Sequence, residues 1–333
     1  MRIAFTSCFD VLDDPEQVVW DRVAAQRPDV MLLLGDSIYM DFGVNLPLLG
    51  VHSTHPLGKP RKWDEAKFAQ EMYSRYRAQS EVNSFRSLVG SVGIIGAIWD
   101  DHDFAWNDSW GAGFDEDVVP RNKKLIARTL HLQFRDWLQK RPLVEYPAIP
   151  SMDSLLSTED RGIEYSFSIG PVLFLMLDGR YYREKQREVP SPYPEIHPGE
   201  PLATMLGEAQ KGWLAQTIND QDGLSVICSG STLTDRNVNG ADSWDRYTDF
   251  EWLLGQEFEQ TVVLSGDIHD IRLKKHKKTG GGNLWEFTAS GAARPGKFHG
   301  ASGNFGIVDV DGRSITVQLF DEDGLRSKKV IDF

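Results

Sequence analysis

The sequence predicts an α/β protein, a mixed sandwich of strands and helices, on three observations. Short runs of consecutive apolar residues, such as 30–34, 92–99 and 261–265, fit strands buried on both faces. Stretches with helical spacing alternate with these runs as far as residue 260. From 271 to 333 that spacing gives way to strand-like segments joined by glycine turns.

Residues 2–7 read as a buried strand ending at Cys8, and 15–26 as a helix after the acidic start Asp13-Asp14. The strand 30–34 closes on Gly35-Asp36. Residues 41–62 carry Gly, Pro and His without periodicity, which predicts a long loop near a functional site. A helix follows over 63–78, and the strand 92–99 delivers Asp100-Asp101-His102-Asp103. In 121–140, Leu125, Leu130, Phe134, Trp137 and Leu138 give one apolar helix stripe. Gly170-Pro171 between 163–169 and 172–177 predicts a hairpin, and the five prolines of 184–201 predict a second loop. Helices over 202–219 and 246–260 flank the strand 224–229, with the strand 261–265 after them. Gly280-Gly281-Gly282 and Asp311-Gly312 supply turns in the all-β tail. With no repeat or linker, one domain over 1–333 is expected.

A net charge of −13 excludes a non-specific nucleic-acid binder or scaffold, which needs a cationic face. An anionic substrate would require cations at the site to reverse the local field. MRIAFTSCFD has no basic segment followed by an apolar one, so no secretory signal is expected. No apolar run approaches the ~18 residues that span a bilayer. Two cysteines, Cys8 and Cys228, point to a reducing, cytoplasmic context.

Four strand ends carry residues of metal-binding type: Ser7-Cys8, Gly35-Asp36-Ser37-Ile38-Tyr39, Asp100-Asp101-His102-Asp103, and Ser265-Gly266-Asp267-Ile268-His269. Ligands of open α/β sheets sit beyond the carboxyl ends of the strands. A Gly-Asp after an apolar run is often only a turn, but four such ends at similar topological positions argue for a shared site. Asp267 and His269 alternate, so on extended backbone both would face the same way. Three carboxylates within 100–103 are unfavourable unless something cationic offsets them. Cys8 alone reads as a small buried hydrophobe, and Tyr39 alone as a packed aromatic. Beside the other clusters Cys8 becomes a candidate thiolate, which favours zinc or iron over magnesium. A Tyr39 phenolate would suit a hard ferric ion.

These strings resemble the PhoD-like (alkaline phosphatase D) branch of the calcineurin-like metallophosphatases. The resemblance rests on Ser-Cys at the first strand end, Leu-Gly-Asp-Ser-Ile-Tyr, Trp-Asp-Asp-His-Asp with Asn107-Asp108, Leu-Asp-Gly-Arg-Tyr-Tyr-Arg, and Ser-Gly-Asp-Ile-His, in that order over residues 7–269. Gln210 before Trp213-Leu214, and Trp244-Asp245, are further landmarks. The resemblance implies a four-layer α/β/β/α sandwich of two mixed sheets flanked by helices. It implies a phosphomono- or diesterase using a ferric ion with calcium, zinc or manganese being the alternatives. Cys8, Asp36, Tyr39 and His269 would hold the iron, and Asp36 would bridge to a second metal held by Asp101 and Asp267. Arg180 and Asn107 would meet the phosphate, and His102 would assist the leaving group. Two positions depart from the pattern: Asp101 stands where the wider superfamily usually has asparagine, and Gly179 where this branch often has threonine.

The expected function is therefore metal-dependent hydrolysis of small phosphoesters through an activated hydroxide. The alternatives are a phosphodiesterase (phospholipase D-like) acting on lipids or nucleotides, and a non-catalytic phosphate-binding protein of the same fold. A metallo-β-lactamase type is disfavoured, because no His-x-His-x-Asp-His string occurs.

Overall fold

The computed structural model describes residues 1–41, 59–189, 200–234, 242–294 and 303–333. Its elements run β1 (Arg2–Thr6), α1 (Val19–Ala25), β2 (Val30–Leu34), α2 (Glu65–Glu81), α3 (Asn83–Ser91), β3 (Ile94–Ile98), α4 (Asp101–Phe104), α5 (Arg121–Leu138) and α6 (Met152–Leu156). They continue with β4 (Tyr165–Ile169), β5 (Val172–Met176), β6 (Glu188–Val189), β7 (Glu200–Pro201), α7 (Gly207–Asn219), β8 (Leu224–Ser229), α8 (Thr248–Leu254) and β9 (Thr261–Ser265). The last five strands are β10 (Ile271–Lys277), β11 (Asn283–Ala289), β12 (Phe305–Asp311), β13 (Ser314–Asp321) and β14 (Gly324–Asp332).

One six-stranded sheet has the order β14-β13-β12-β1-β2-β3 and the other β10-β11-β9-β8-β5-β4. Within the first, β1, β2 and β3 are parallel; within the second, β5, β8, β9 and β11 are parallel. The flanking strands β4, β10 and β12–β14 pair antiparallel. Parallel strands need long crossovers, and the predicted helices supply them.

Period-two alternation shows how the layers stack. In β5, Val172, Phe174 and Met176 join a core that also holds Ile3, Leu32 and Ile95 of the first sheet. Their neighbours Leu173 and Leu175 pack instead with Leu214 and Ile218 of α7 and Leu253 of α8. Both faces of the second sheet are thus buried, one by the first sheet and one by helices. With α1, α2, α3 and α5 alongside the first sheet, this is the expected four-layer α/β/β/α sandwich.

Several boundaries differ from expectation for local reasons. The helix predicted over 15–26 begins only at Val19, because Gln17 holds a φ of 43° and the Asp14 carboxylate accepts from Glu16 N and Gln17 N. The helix predicted from 202 starts at Gly207, since the Asp249 carboxylate takes the N–H groups of Met205 and Leu206. The one predicted over 246–260 shrinks to α8 and stops at Gly255. The helix predicted over 63–78 is α2, capped by Asp64, and α3 after it was not anticipated. The hairpin about Gly170-Pro171 forms as β4–β5. Of the two predicted loops, residues 42–58 and 190–199 lie outside the described residues, and so do His52, His55 and His197.

Candidate metal centre

The parallel strands of both sheets deliver their carboxyl ends to one place. Cys8 follows β1, Asp36 follows β2, Asp100 and Asp101 follow β3, Arg180 follows β5, Asp267 and His269 follow β9, and Ser290 follows β11. Backbone bonds lace these ends together: Cys8 N donates to Gly35 O at 3.3 Å, and Gly266 N to Gly230 O at 3.1 Å. Gly266 is required by this closeness, because a Cβ there would lie 2.5 Å from Ser7 Oγ and 2.8 Å from Leu34 O. Four candidate ligands hold left-handed backbone: Cys8 (φ 58°), Asp36 (52°), Asp267 (76°) and His269 (52°). Such conformations cost energy in non-glycine residues and cluster at functional sites. The simple extended alternation expected for Asp267 and His269 is not what brings them together; two left-handed residues do.

At one end of the site, ligand atoms of Cys8, Asp36 and His269 lie within 4.8 Å of one another. Cys8 Sγ is 3.4 Å from Asp36 Oδ2 and 3.1 Å from Ser290 Oγ. Tyr39 Oη donates to Asp36 Oδ2 at 3.1 Å and stands 3.2 Å from His269 Nε2. At the other end, Asp100, Asp101 and Asp267 form a second set, and Asp36, Asp101 and His102 a third that joins the two.

The electrostatics ask for a cation. Asp36 Oδ1 and Asp100 Oδ2 are buried without a hydrogen-bond partner among the described residues, which is costly for a carboxylate. Burial, with Asp101 and Asp100 adding to it against His102, raises the Asp36 carboxyl to about 7. Burial and the same two aspartates push Asp267 well up. The Cys8 thiol is raised by burial and by Asp36. Burial and the nearby Arg294 lower His269 to about 3, leaving its imidazole neutral and able to ligate. Thiol, phenol, imidazole and carboxylate in one pocket suit iron or zinc, and the all-carboxylate set suits a hard ion such as calcium. The donor chemistry therefore fits a metal pair.

The remaining expected residues take defined places. His102 Nδ1 lies 2.7 Å from Asp41 Oδ1. Burial opposes its charge, but Asp101, Asp41 and Asp36 outweigh that and raise the imidazole to about 10. Arg180, expected at the phosphate, is fully enclosed: its guanidinium binds Asp100 at 2.5 Å, also Asp242, and sits 3.8 Å from Asp101. Asn107 is exposed, with its N–H on Asp41 Oδ2 and its amide on Asp108 Oδ2, each at 2.6 Å. Asp103 faces away from the ligand sets and accepts from Ser37 N and Asp100 N, as a brace between strand ends. Of the other histidines, His131 is buried and packs against the Trp99 ring. His276 lies in β10 and meets the buried Glu286 at 2.8 Å.

Sequence reasoning missed Ser290, Asp41, Asp242 and Arg294. Ser290-Gly291 after β11 repeats the pattern of Ser265-Gly266 after β9 and was open to the same reading. Arg294 lies over the Tyr39 ring at 3.7 Å and pairs with Asp10 at 2.9 Å, a long-range contact with no local signature.

A family model described as PhoD-like phosphatase matches residues 3–313. No curated protein sequence matches the chain. Among solved structures, a dimetal phosphatase from Danio rerio aligns with 13% identity and a TM-score of 0.52, covering 100% of this chain and 99% of that one. GAP50 of Plasmodium, described as the anchor in the inner membrane complex, aligns at 10% identity and a TM-score of 0.44, over 100% and 89%. A Thermus thermophilus protein aligns at 11% and 0.39, over 99% and 98%.

Proposed function

We propose that this chain, which belongs to the PhoD-like phosphatase family, hydrolyses phosphomonoesters or phosphodiesters at two metal sites that share Asp36. Family and fold support a metal-dependent phosphoesterase. The observation that carries the reading is the pair of donor sets, Cys8-Asp36-His269 and Asp100-Asp101-Asp267, each with two buried members and one half-buried, joined through Asp36 and Asp101.

In this reading Cys8, Asp36, Tyr39 and His269 would hold iron, and Asp36, Asp101 and Asp267 would hold calcium; zinc or manganese would meet the same donors. Metals bound there supply Lewis-acid polarisation of the phosphoryl group and an activated nucleophile. The chain's own groups do the rest. In the metal-free chain Tyr39 Oη and the Cys8 thiol both meet Asp36 Oδ2, so the three donors already converge where a metal would displace their protons. Arg180 offsets the charge of Asp100 and Asp101, which lets two adjacent buried carboxylates coexist. Its reach to phosphate is part of the proposal, as is that of Asn107. His102, held by Asp41, donates a proton to the departing alcohol oxygen.

Both cysteines are free, which supports a reducing, cytoplasmic setting. No described helix is long and apolar enough to cross a membrane. We read residues 1–333 as one catalytic domain. Elemental analysis of the purified protein, with a screen of aryl mono- and diesters, tests the reading. Stoichiometric metal with metal-dependent turnover is expected; metal-free protein that no added ion activates would overturn it.

A further inference from the structure

Next to the all-carboxylate set lies a separate cavity of about 310 Å³, at the lower edge of the ~300–1,000 Å³ usual for small-molecule sites. Asp108 links the two, since its N–H donates to Asp101 Oδ2 at 2.6 Å while its residue lines the cavity. Asp242 links them again, because Arg180 bridges it to Asp100. A group departing from phosphorus at the metal centre would thus have this cavity as its neighbour.

The chemistry of the wall selects its occupant. Trp110 and Tyr247 give it two aromatic side chains, and the other described lining residues are polar or charged. Two buried donors of lining residues, Trp110 Nε1 and Arg246 Nε, have no hydrogen-bond partner among the described residues. Lys185 has no ion-pair partner among the described residues and lies 5.6 Å from the Trp110 ring. Asp242 is held by Arg180 and Arg183, so Lys185 and Arg246 leave the wall rich in donors. A flat group rich in acceptors, as a nucleobase is, matches aromatic rings beside such donors.

We propose that this cavity is a leaving-group subsite for nucleosides, and that the enzyme's substrates are nucleoside phosphoesters. The substrate half of this rests on the phosphoesterase reading above; the binding half does not. Stacking a base on an aromatic side chain is worth about tenfold or more in affinity by alanine substitution.

The test is calorimetric titration of adenosine, guanosine, cytidine and uridine into the full chain and into Trp110→Ala, Trp110→Phe and Lys185→Met. At least one nucleoside should bind the wild type, about tenfold more weakly after Trp110→Ala, with Trp110→Phe restoring most of the affinity. Lys185→Met, remote from the fold's core, should weaken binding severalfold and covers the case in which Trp110→Ala misfolds. Absence of nucleoside binding to the wild type, or equal affinity in all variants, overturns the subsite. Hydrolysis of bis(p-nitrophenyl) phosphate, measured on the same samples, keeps the two readings apart. A protein that hydrolyses this ester but binds no nucleoside loses only the subsite. One that binds nucleosides but hydrolyses nothing loses only the phosphoesterase reading.

Discussion

The sulfur of Cys8 stands 3.4 Å from Asp36 Oδ2, and both residues hold left-handed backbone. As anions the two would repel, and the Asp36 charge raises the thiol's affinity for its proton. Strained backbone that brings two such groups together is the arrangement a shared cation would ask for. Iron-loaded protein should therefore show a thiolate charge-transfer band in the visible. Cys8→Ala should abolish that band and weaken metal binding by more than the ~10–100-fold typical of an outer-shell partner. Full metal content and turnover in Cys8→Ala would return Cys8 to the role of a packed core side chain.

Metal stabilisation should grow with pH. Asp36 is raised from 3.8 to about 7 in the metal-free chain, so the native state holds its proton where the unfolded state has lost it. Its contribution to stability is then fullest below the unfolded value and declines as pH rises through about 7. A metal needs the deprotonated carboxylate and displaces that proton. The rise in Tm on adding saturating metal should be larger at pH 8 than at pH 5.5. A shift independent of pH would remove Asp36 from the ligand set.

What the sequence made legible follows from how local each feature is. The strands β2 and β5 are unbroken apolar runs, and β8 and β9 are short runs broken only by serine or threonine, as strands buried on both faces allow. Cys8, Asp36, Asp101 and Asp267 were visible because each lies just beyond the end of a strand, β1, β2, β3 and β9 in turn. Helix starts were misplaced where a distant side chain took the first N–H groups, as Asp249 does for Met205 and Leu206. Asp41, Asp242 and Arg294 lie far along the chain from the residues they serve, so no spacing rule points to them. The enclosure of Arg180 is of the same kind, since it depends on Asp242, 62 residues away.

Gly266 tests the lacing of the strand ends. Its missing Cβ leaves room for Ser7 Oγ, Leu34 O and Gly230 O, two of which are backbone and cannot turn aside. Gly266→Ala should cost about 1–3 kcal/mol, the usual range for overpacking, and lower metal affinity by displacing Asp267. Denaturant melts and metal titration measure the two effects. Wild-type values for both would show that the ends tolerate separation.

Arg294 should matter to stability beyond its contact with the Tyr39 ring. Its guanidinium is the partner of the buried Asp10 and also reaches Asp13 at 3.4 Å. Removing one member of a buried pair costs about 3–5 kcal/mol, because the other charge is stranded. Arg294→Met should fall in that range, and adding Asp10→Asn should recover part of it. Additive losses in the double variant would mean that the pair is not coupled.

The last expectation separates catalysis from metal binding at His102. Its imidazole lies near Asp36 and Asp101 and is held by Asp41, so it borders the metal centre on one side and an anchoring carboxylate on the other. Those three carboxylates raise it to about 10 against the effect of burial, and it carries a proton at neutral pH. Cations held by Asp36 and Asp101 cancel part of that field and bring the acid toward a working range. General acid help is typically worth ~10²–10⁴ in rate and matters least for a leaving group that departs as a stable anion. His102→Ala should keep its metals and lose far more rate on alkyl than on nitrophenyl phosphoesters. Equal losses on both would mean that His102 stabilises charge on phosphorus without donating a proton. Loss of metal would make it a ligand, as its grouping with Asp36 and Asp101 also allows. An unchanged rate on every ester would leave the Asp41–His102 pair as a strut between the end of β2 and α4.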